Sequence, residues 1–294
     1  MIAALTLMKI KSPSDSGKTF WLDGDGQLLK RTNGSYAEAS ATTVTVESIE
    51  DLMALIERAG PNDVLLSGVA TTIETALAPK SMATHGVASR DDATFPHWQA
   101  PGIMLVDADG VDSIGLVKEQ LLEAFPILHD VDALYTTSTS SNIKDADGKL
   151  LKGIGGVHAY ILVKDAADIG RAMEVAHKRL WLAGFGQVKI AATGALLERS
   201  IIDLAMRSPS QPIYLKPHLH NGLVQEKTFD LHEGEALALD TREAFPDLTS
   251  EESALYKKLV VDAFAAHQAQ ADAVGAEYIK TQVEKHIANG VAKS

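Results

Sequence analysis

Two short apolar runs limit what this chain can fold into. Residues 102–106 (GIMLV) and 157–163 (VHAYILV) are continuously apolar apart from one histidine and are bounded by turn-forming residues. Neither approaches the roughly 20 apolar residues of a membrane helix. Both read as central strands buried on two faces. Around them strand and helix signals alternate. Residues 1–46 read as short strands, with a turn at Asp23, Gly24, Asp25 and Gly26. Residues 46–59 predict an amphipathic helix stopped by Gly60 and Pro61. A short strand is expected over 63–67, a helix over 71–78 and irregular chain over 79–101. A helix over 113–125 is expected to be capped by Asp112. Then come a strand over 133–137, a polar loop over 138–156 and a helix over 165–182, with shorter strand candidates at 188–191 and 200–204. From Thr249 the chain reads as a long helix, started by Thr249–Glu252 (TSEE) and broken at Gly275.

Composition narrows the class. The 294 residues are 46% hydrophobic, enough for a sizeable core. There is no cysteine, which excludes disulfides, thiolate zinc sites, iron–sulfur clusters and a cysteine nucleophile. The first ten residues are apolar, but Lys9 and Lys11 come at and beyond the end of that stretch rather than before it. The segment therefore reads as a strand and not a secretory signal, and the expectation is a cytoplasmic protein with no membrane contact. A net charge of −12 argues against a nucleic-acid binder taken whole. Residues 139–227, however, carry 12 basic against 8 acidic side chains between two acidic flanks. A local basic surface and chance clustering explain this equally well.

Three constellations carry possible chemistry. Asp107 and Asp109 end the first apolar run. On a strand, residues two apart share a face, and two carboxylates there repel unless a cation with hard-oxygen preference lies between them. The competing reading is a plain turn at Asp109 and Gly110. The same tetrapeptide at 145–148 reads as a hairpin turn. Both fail the calcium-loop pattern, because Val111 and Lys149 stand at the fifth positions. The second constellation is His158, led by Gly155 and Gly156, where glycine lets a ligand approach and imidazole can donate to a phosphate. A core histidine bonded to a carbonyl is the alternative. The third is Asp203 after Ile201 and Ile202, read either as a metal ligand or as a strand-end acid paired with Arg199 or Arg207. Gly17, Lys18 and Thr19 are rejected as a phosphate loop, since Ser12 stands where the motif needs glycine. His218, Leu219 and His220 fit the paired-histidine pattern of nicking enzymes, with Tyr214 as a candidate nucleophile, but their surroundings suit a turn.

In order, these three signals resemble the archaeo-eukaryotic primase superfamily, in particular the primase–polymerase domains of plasmids, phages and integrated elements. The matching residues are the apolar strand ending in Asp107, Ala108 and Asp109, then Gly156, Val157 and His158, then Ile202 and Asp203. Arg90–Asp92, the hydroxyl-rich run 136–141 and residues 222–227 (GLVQEK) agree, and the likeness covers about residues 60–230. Where the family often has serine two residues before the histidine, Gly156 stands here. The resemblance implies an α+β fold, an α/β unit plus an RNA-recognition-like antiparallel sheet, over 1–230, with an acidic, mainly helical tail over 231–294. It implies template-directed nucleotidyl transfer with two Mg²⁺ or Mn²⁺ ions and no zinc. Asp107, Asp109 and Asp203 would be the catalytic metal ligands, and His158, Ser140, Ser141 and Arg199 would bind nucleotide. The partners would be a single-stranded DNA template, a primer strand, NTP or dNTP, and a helicase domain or protein. The other expectations are a single-strand nicking endonuclease using His218 and His220, and a replication-accessory DNA-binding module with a decayed site.

Overall fold

The N-terminal strands β1 (Ala3–Ser12), β2 (Gly17–Leu22), β3 (Leu28–Asn33) and β4 (Glu38–Val46) follow one another through turns. In the turn after β2 the Asp23 carboxylate accepts the N–H groups of Asp25 and Gln27, the local bond that makes Asp a turn former. The first helix, α1 (Ile49–Arg58), starts where the Ser48 hydroxyl accepts the Asp51 N–H, and it buries Ile49, Leu52 and Ile56. Strands β5 (Asp63–Leu66), β6 (Glu74–Leu77) and β7 (Gly102–Asp109) lead to α2 (Ile114–Ala124). Strands β8 (Ala133–Thr137), β9 (Ile143–Lys144), β10 (Leu150–Lys152) and β11 (Gly156–Val163) precede α3 (Ile169–Leu182). The chain ends with β12 (Gln187–Ile190), β13 (Leu196–Arg199), β14 (Ile213–Tyr214), β15 (His218–Leu219), β16 (Val224–Gln225), β17 (Phe229–His232), α4 (Thr241–Ala244) and α5 (Ser250–Val291). This computed structural model describes residues 1–72, 74–83 and 86–291.

The chain is a mixed α+β fold with antiparallel sheets and a long C-terminal helix, and it divides into two units. The first comprises Met1–Glu174 and Asp203–Pro246, the second Val175–Ile202 and Asp247–Ser294. The expected division at 230/231 differs from this: residues 175–202 group with the tail, and residues 231–246 stay with the first unit.

In the first unit a five-stranded sheet runs β14-β5-β1-β4-β6, and a four-stranded sheet runs β17-β8-β11-β7. Small sheets β10-β9-β16 and β15-β2-β3 complete it, and the β15–β2 pairing is parallel. All eight residues of β11 are buried, as its apolar run predicts for an inner strand. Each of its fully buried aliphatic side chains contributes about 1.5–3 kcal/mol. The helix α1 packs on β4, β8 and β11. The strand β7 is the edge of its sheet and holds the first acidic pair.

Several local expectations are corrected. Residues 74–77 form a strand, not a helix: they pair with the open edge of β4, from Ala39↔Leu77 to Thr42↔Glu74, and that pairing outweighs the helix preference of Glu and Ala. Ile73 of the expected helix lies outside the described residues. Ser113, not Asp112, caps α2, its hydroxyl accepting the Leu116 N–H. The 138–156 loop contains β9 and β10, joined across the Asp145–Gly148 turn. Residues 200–204 are not a strand. Asp203 instead caps a 3₁₀ turn, Leu204–Arg207, through a 3.0 Å bond from the Ala205 N–H.

In the second unit the β12–β13 hairpin packs on α5. Thr249 and Glu252 form the expected reciprocal cap, with N–H···O distances of 3.1 and 2.8 Å. Gly275 does not break α5. Instead it gives the hairpin room: a side chain there would come 3.3 Å from the Thr193 carbonyl, and one on Gly194 2.6 Å from the Ala271 carbonyl. Gly194 has φ +84°, so glycine serves both the turn and the close approach.

Candidate active site

Strands β7 and β11 pair antiparallel in a register that sets Asp107 opposite His158 and Asp109 opposite Gly156. Opposite residues share a face, so the acid and the imidazole meet side by side. His158 Nε2 lies 3.4 Å from Asp107 Oδ1. His158 Nδ1 meets the Tyr160 hydroxyl at 3.2 Å. The Tyr160 phenol is buried, and burial pushes its pKa well up, so it keeps its proton. Where the phenol donates to Nδ1, the ring proton sits on Nε2, on the side of Asp107.

Asp107 Oδ1 is buried and has no aligned hydrogen-bond donor; the 3.4 Å contact is a charge contact only. Burial raises the carboxyl pKa, but His158 and then Lys18 outweigh it, and the net position is below the ordinary carboxylate range. Asp109 is exposed at the strand end. Opposite it, Gly156 has no side chain, and a Cβ there would lie 3.1 Å from both the Ala108 carbonyl and Ser138 Oγ. A serine hydroxyl from the neighbouring β8 side thus lies 3.1 Å from where a side chain at 156 would begin.

The third acid arrives from far along the chain. The Asp203 N–H donates to the Asp107 carbonyl at 3.3 Å, on the open edge of β7. The segment after it is fixed by the Arg90–Asp92 stretch. Asp92 Oδ1 accepts the hydroxyls of Ser208 (2.7 Å) and Ser210 (2.6 Å), and Arg90 Nη1 donates to the Ser210 carbonyl at 2.5 Å. These hydroxyl and backbone donors hold the Asp92 carboxyl below its usual range although burial opposes them.

The structure therefore brings together Asp107, Asp109, His158 and the backbone of Asp203. The hydroxyl run lies beside them but faces inward. Ser141 is fully buried; its hydroxyl donates to the Gly156 carbonyl (3.2 Å) and accepts the Gly155 N–H (3.1 Å). Ser140 Oγ meets Ser138 Oγ at 3.4 Å, and the Gln225 amide donates to the Ser138 and Ser141 carbonyls. Arg199 belongs to the second unit, where it ends β13 opposite Gln187. His218 is held elsewhere: its Nε2 donates to the Ser16 carbonyl at 3.0 Å, and the Tyr214 ring packs against Gly17.

The sequence marked Ser138 and Gln225 only as members of the runs 136–141 and 222–227, with no role for either, and it missed Lys18. Lys18 lies in the rejected phosphate-loop motif, and its link to Asp107 depends on how β2 packs. As a donor set, the carboxylates of Asp107, whose buried Oδ1 is orphaned, and Asp109 suit a hard divalent cation, while the Asp203 carboxylate accepts the Ala205 N–H. Among the described residues, no three His, Asp or Glu side chains are already gathered around one metal position. Comparison with protein-family models, with curated proteins and with solved structures gives no match.

Proposed function

We propose that this chain is a DNA-template-directed nucleotidyltransferase, a primase and/or DNA polymerase of the archaeo-eukaryotic primase type, acting in replication of a mobile element. The observation that carries the reading is the 3.3 Å bond from the Asp203 N–H to the Asp107 carbonyl. It brings the backbone of the third acid of the motif series to the strand of the first two, on the edge opposite β11. The β17-β8-β11-β7 sheet fits the RNA-recognition-like half of that fold. Ser138, at 3.1 Å from the missing Gly156 side chain, stands in for the serine that the family often has there.

In this reading Asp107, Asp109 and Asp203 would hold two Mg²⁺ or Mn²⁺ ions, which would supply charge neutralisation at the attacking 3′-hydroxyl and on the triphosphate. The rest is done by the chain. Tyr160 fixes the His158 ring, so its Nε2–H is presented on the face that carries Asp107, ready for a triphosphate oxygen. Ser140 is the less buried hydroxyl of the run and the better placed of the two serines for a nucleotide contact. Ser141 shapes the Gly155–Gly156 backbone. The basic stretch 139–227 would follow the template by phosphate contacts, with little sequence readout. A helicase as partner belongs to the same proposal.

The test is incorporation of labelled dNTP or NTP on a single-stranded template, with and without primer, in Mg²⁺ or Mn²⁺. The wild type is expected to extend or start strands. Asp107→Ala is expected to lose at least about 100-fold of that rate while melting as a folded protein. Absence of incorporation under every condition, or an unaltered rate in Asp107→Ala, overturns the proposal.

A further inference from the structure

Lysines from four separate segments of the first unit gather around the contact of the β2–β3 hairpin with strands β9, β10 and β16. Lys18 on β2 and Lys30 on β3 share the sheet face that carries Phe20, since Phe20 is paired with Lys30 and lies two residues from Lys18. Phe20 is packed with Ile143 and Leu223, with Leu151 and Leu219 around them, so this face closes on β9, β10 and β16. That small core brings the β2–β3 lysines to the neighbourhood of Lys152 and Lys227. Lys152 Nζ lies 3.3 Å from where a Gly155 side chain would begin, one residue from the partner of Asp109. Lys227 Nζ donates to the Leu215 carbonyl at 3.1 Å. Among the described residues, none of the four makes a salt bridge.

Their mutual repulsion disfavours their charged forms. Burial, then Lys18 and Lys152, lower the Lys30 pKa against the pull of Asp109. Burial, then Lys216 and Lys18, bring Lys227 down to about 8. Cations crowded in this way, with no carboxylate at ion-pair distance, are stabilised by an anion that brings several charges to one place. A nucleic-acid strand spreads its charges along its length, whereas a polyphosphate gathers them on adjacent phosphorus atoms.

We propose that Lys18 and Lys30 of the β2–β3 hairpin, with Lys152 and Lys227, form a polyphosphate subsite beside Asp107 and Asp109 that takes the triphosphate of the incoming nucleotide. This rests on the nucleotidyl-transfer reading of the same site. It assigns to the N-terminal hairpin a part in substrate binding that the motif series does not give it.

The experiment is calorimetric titration of the full chain with inorganic tripolyphosphate in metal-free buffer, so that binding is read without turnover. The wild type is expected to bind, the K18A/K30A variant to bind at least about 10-fold more weakly, and a control Lys280→Ala on the exposed part of α5 to match the wild type. Binding of a single-stranded oligonucleotide should change far less. If the double variant melts early, Lys18→Gln and Lys30→Gln measured singly are each expected to weaken tripolyphosphate. No binding by the wild type, equal binding by the lysine variants, or a loss confined to the oligonucleotide overturns the proposal; the last would assign the lysines to a nucleic-acid backbone. A wild type that binds tripolyphosphate through these lysines yet incorporates no nucleotide keeps the subsite and removes the polymerase reading.

Discussion

Asp107 keeps a buried, donorless oxygen next to an imidazole and within reach of a lysine, and its protonation follows from that setting. Its folded pKa is depressed, so the charged form adds stability above the ordinary value of 3.8 and loses it as pH falls through the lower folded value. Asp107→Asn should therefore flatten the acid limb of the stability curve below about pH 4, as urea unfolding at several pH values would read. An acid limb unchanged in the variant would show that the carboxyl feels no such field. Beside it, Gly156→Ala pushes a methyl group to 3.1 Å from the Ala108 carbonyl, a sheet oxygen with little freedom to yield. The expected cost is about 1 kcal/mol in thermal or urea unfolding, and a gain would mean that Ser138 and the strand give way easily. Asp107, Asp109 and His158 were legible because acids at the end of an apolar strand, and a histidine inside one, stand out at short range. Ser138 was not, because its place beside Gly156 is set by the β8–β11 register, Thr137 opposite Val157, and no local pattern encodes that.

At the scale of elements, the long runs were readable and the short ones were not. The strands β7, β8, β11 and the helix α5 have enough apolar periodicity or helix-forming composition to decide themselves. Residues 74–77 became a strand because β4 offers an edge, and residues 200–203 stayed irregular because the segment turns to place Asp203 on β7. The start of α3 shows how much one buried carboxylate can hold together. Asp168 has a side chain 2% exposed, takes two hydrogen bonds from Arg171 (2.7 and 2.6 Å) and one from Thr241 (2.6 Å), and pairs with Arg242. Those Arg171 bonds, above all, depress its pKa. Asp168→Asn should cost about 3 kcal/mol at neutral pH, because the arginine side chains lose a buried partner. Because the folded pKa is lowered from 3.8, the difference from wild type should shrink as pH falls below that value. A constant difference across pH would place the cost in packing instead of charge.

At the scale of the whole molecule, the division into units could not be read from the sequence. The second unit joins residues 175–202 to the helix that starts at Ser250, and nothing in composition announces such a discontinuous pairing. What holds it includes Glu198, which accepts from His177 Nε2 at 2.7 Å and from the Tyr256 hydroxyl, and the close seat of Gly194 on α5. Gly194→Ala should therefore cost about 2 kcal/mol or more, through both its positive φ and the 2.6 Å clash with the Ala271 carbonyl. Beyond Gly275, by contrast, Ile279, Val283 and Ile287 are exposed. Ending the chain after Gly275 should shift the melting temperature little, and a large drop would reveal packing on that last stretch. The central claim, that three acids from distant parts of the chain act together on divalent cations, is tested most directly by Mn²⁺ titration of the wild type and Asp203→Asn, followed by calorimetry. The account predicts Mn²⁺ binding by the wild type and an affinity at least about 10-fold lower in Asp203→Asn. No Mn²⁺ binding by the wild type, or equal affinity in the two proteins, would contradict it.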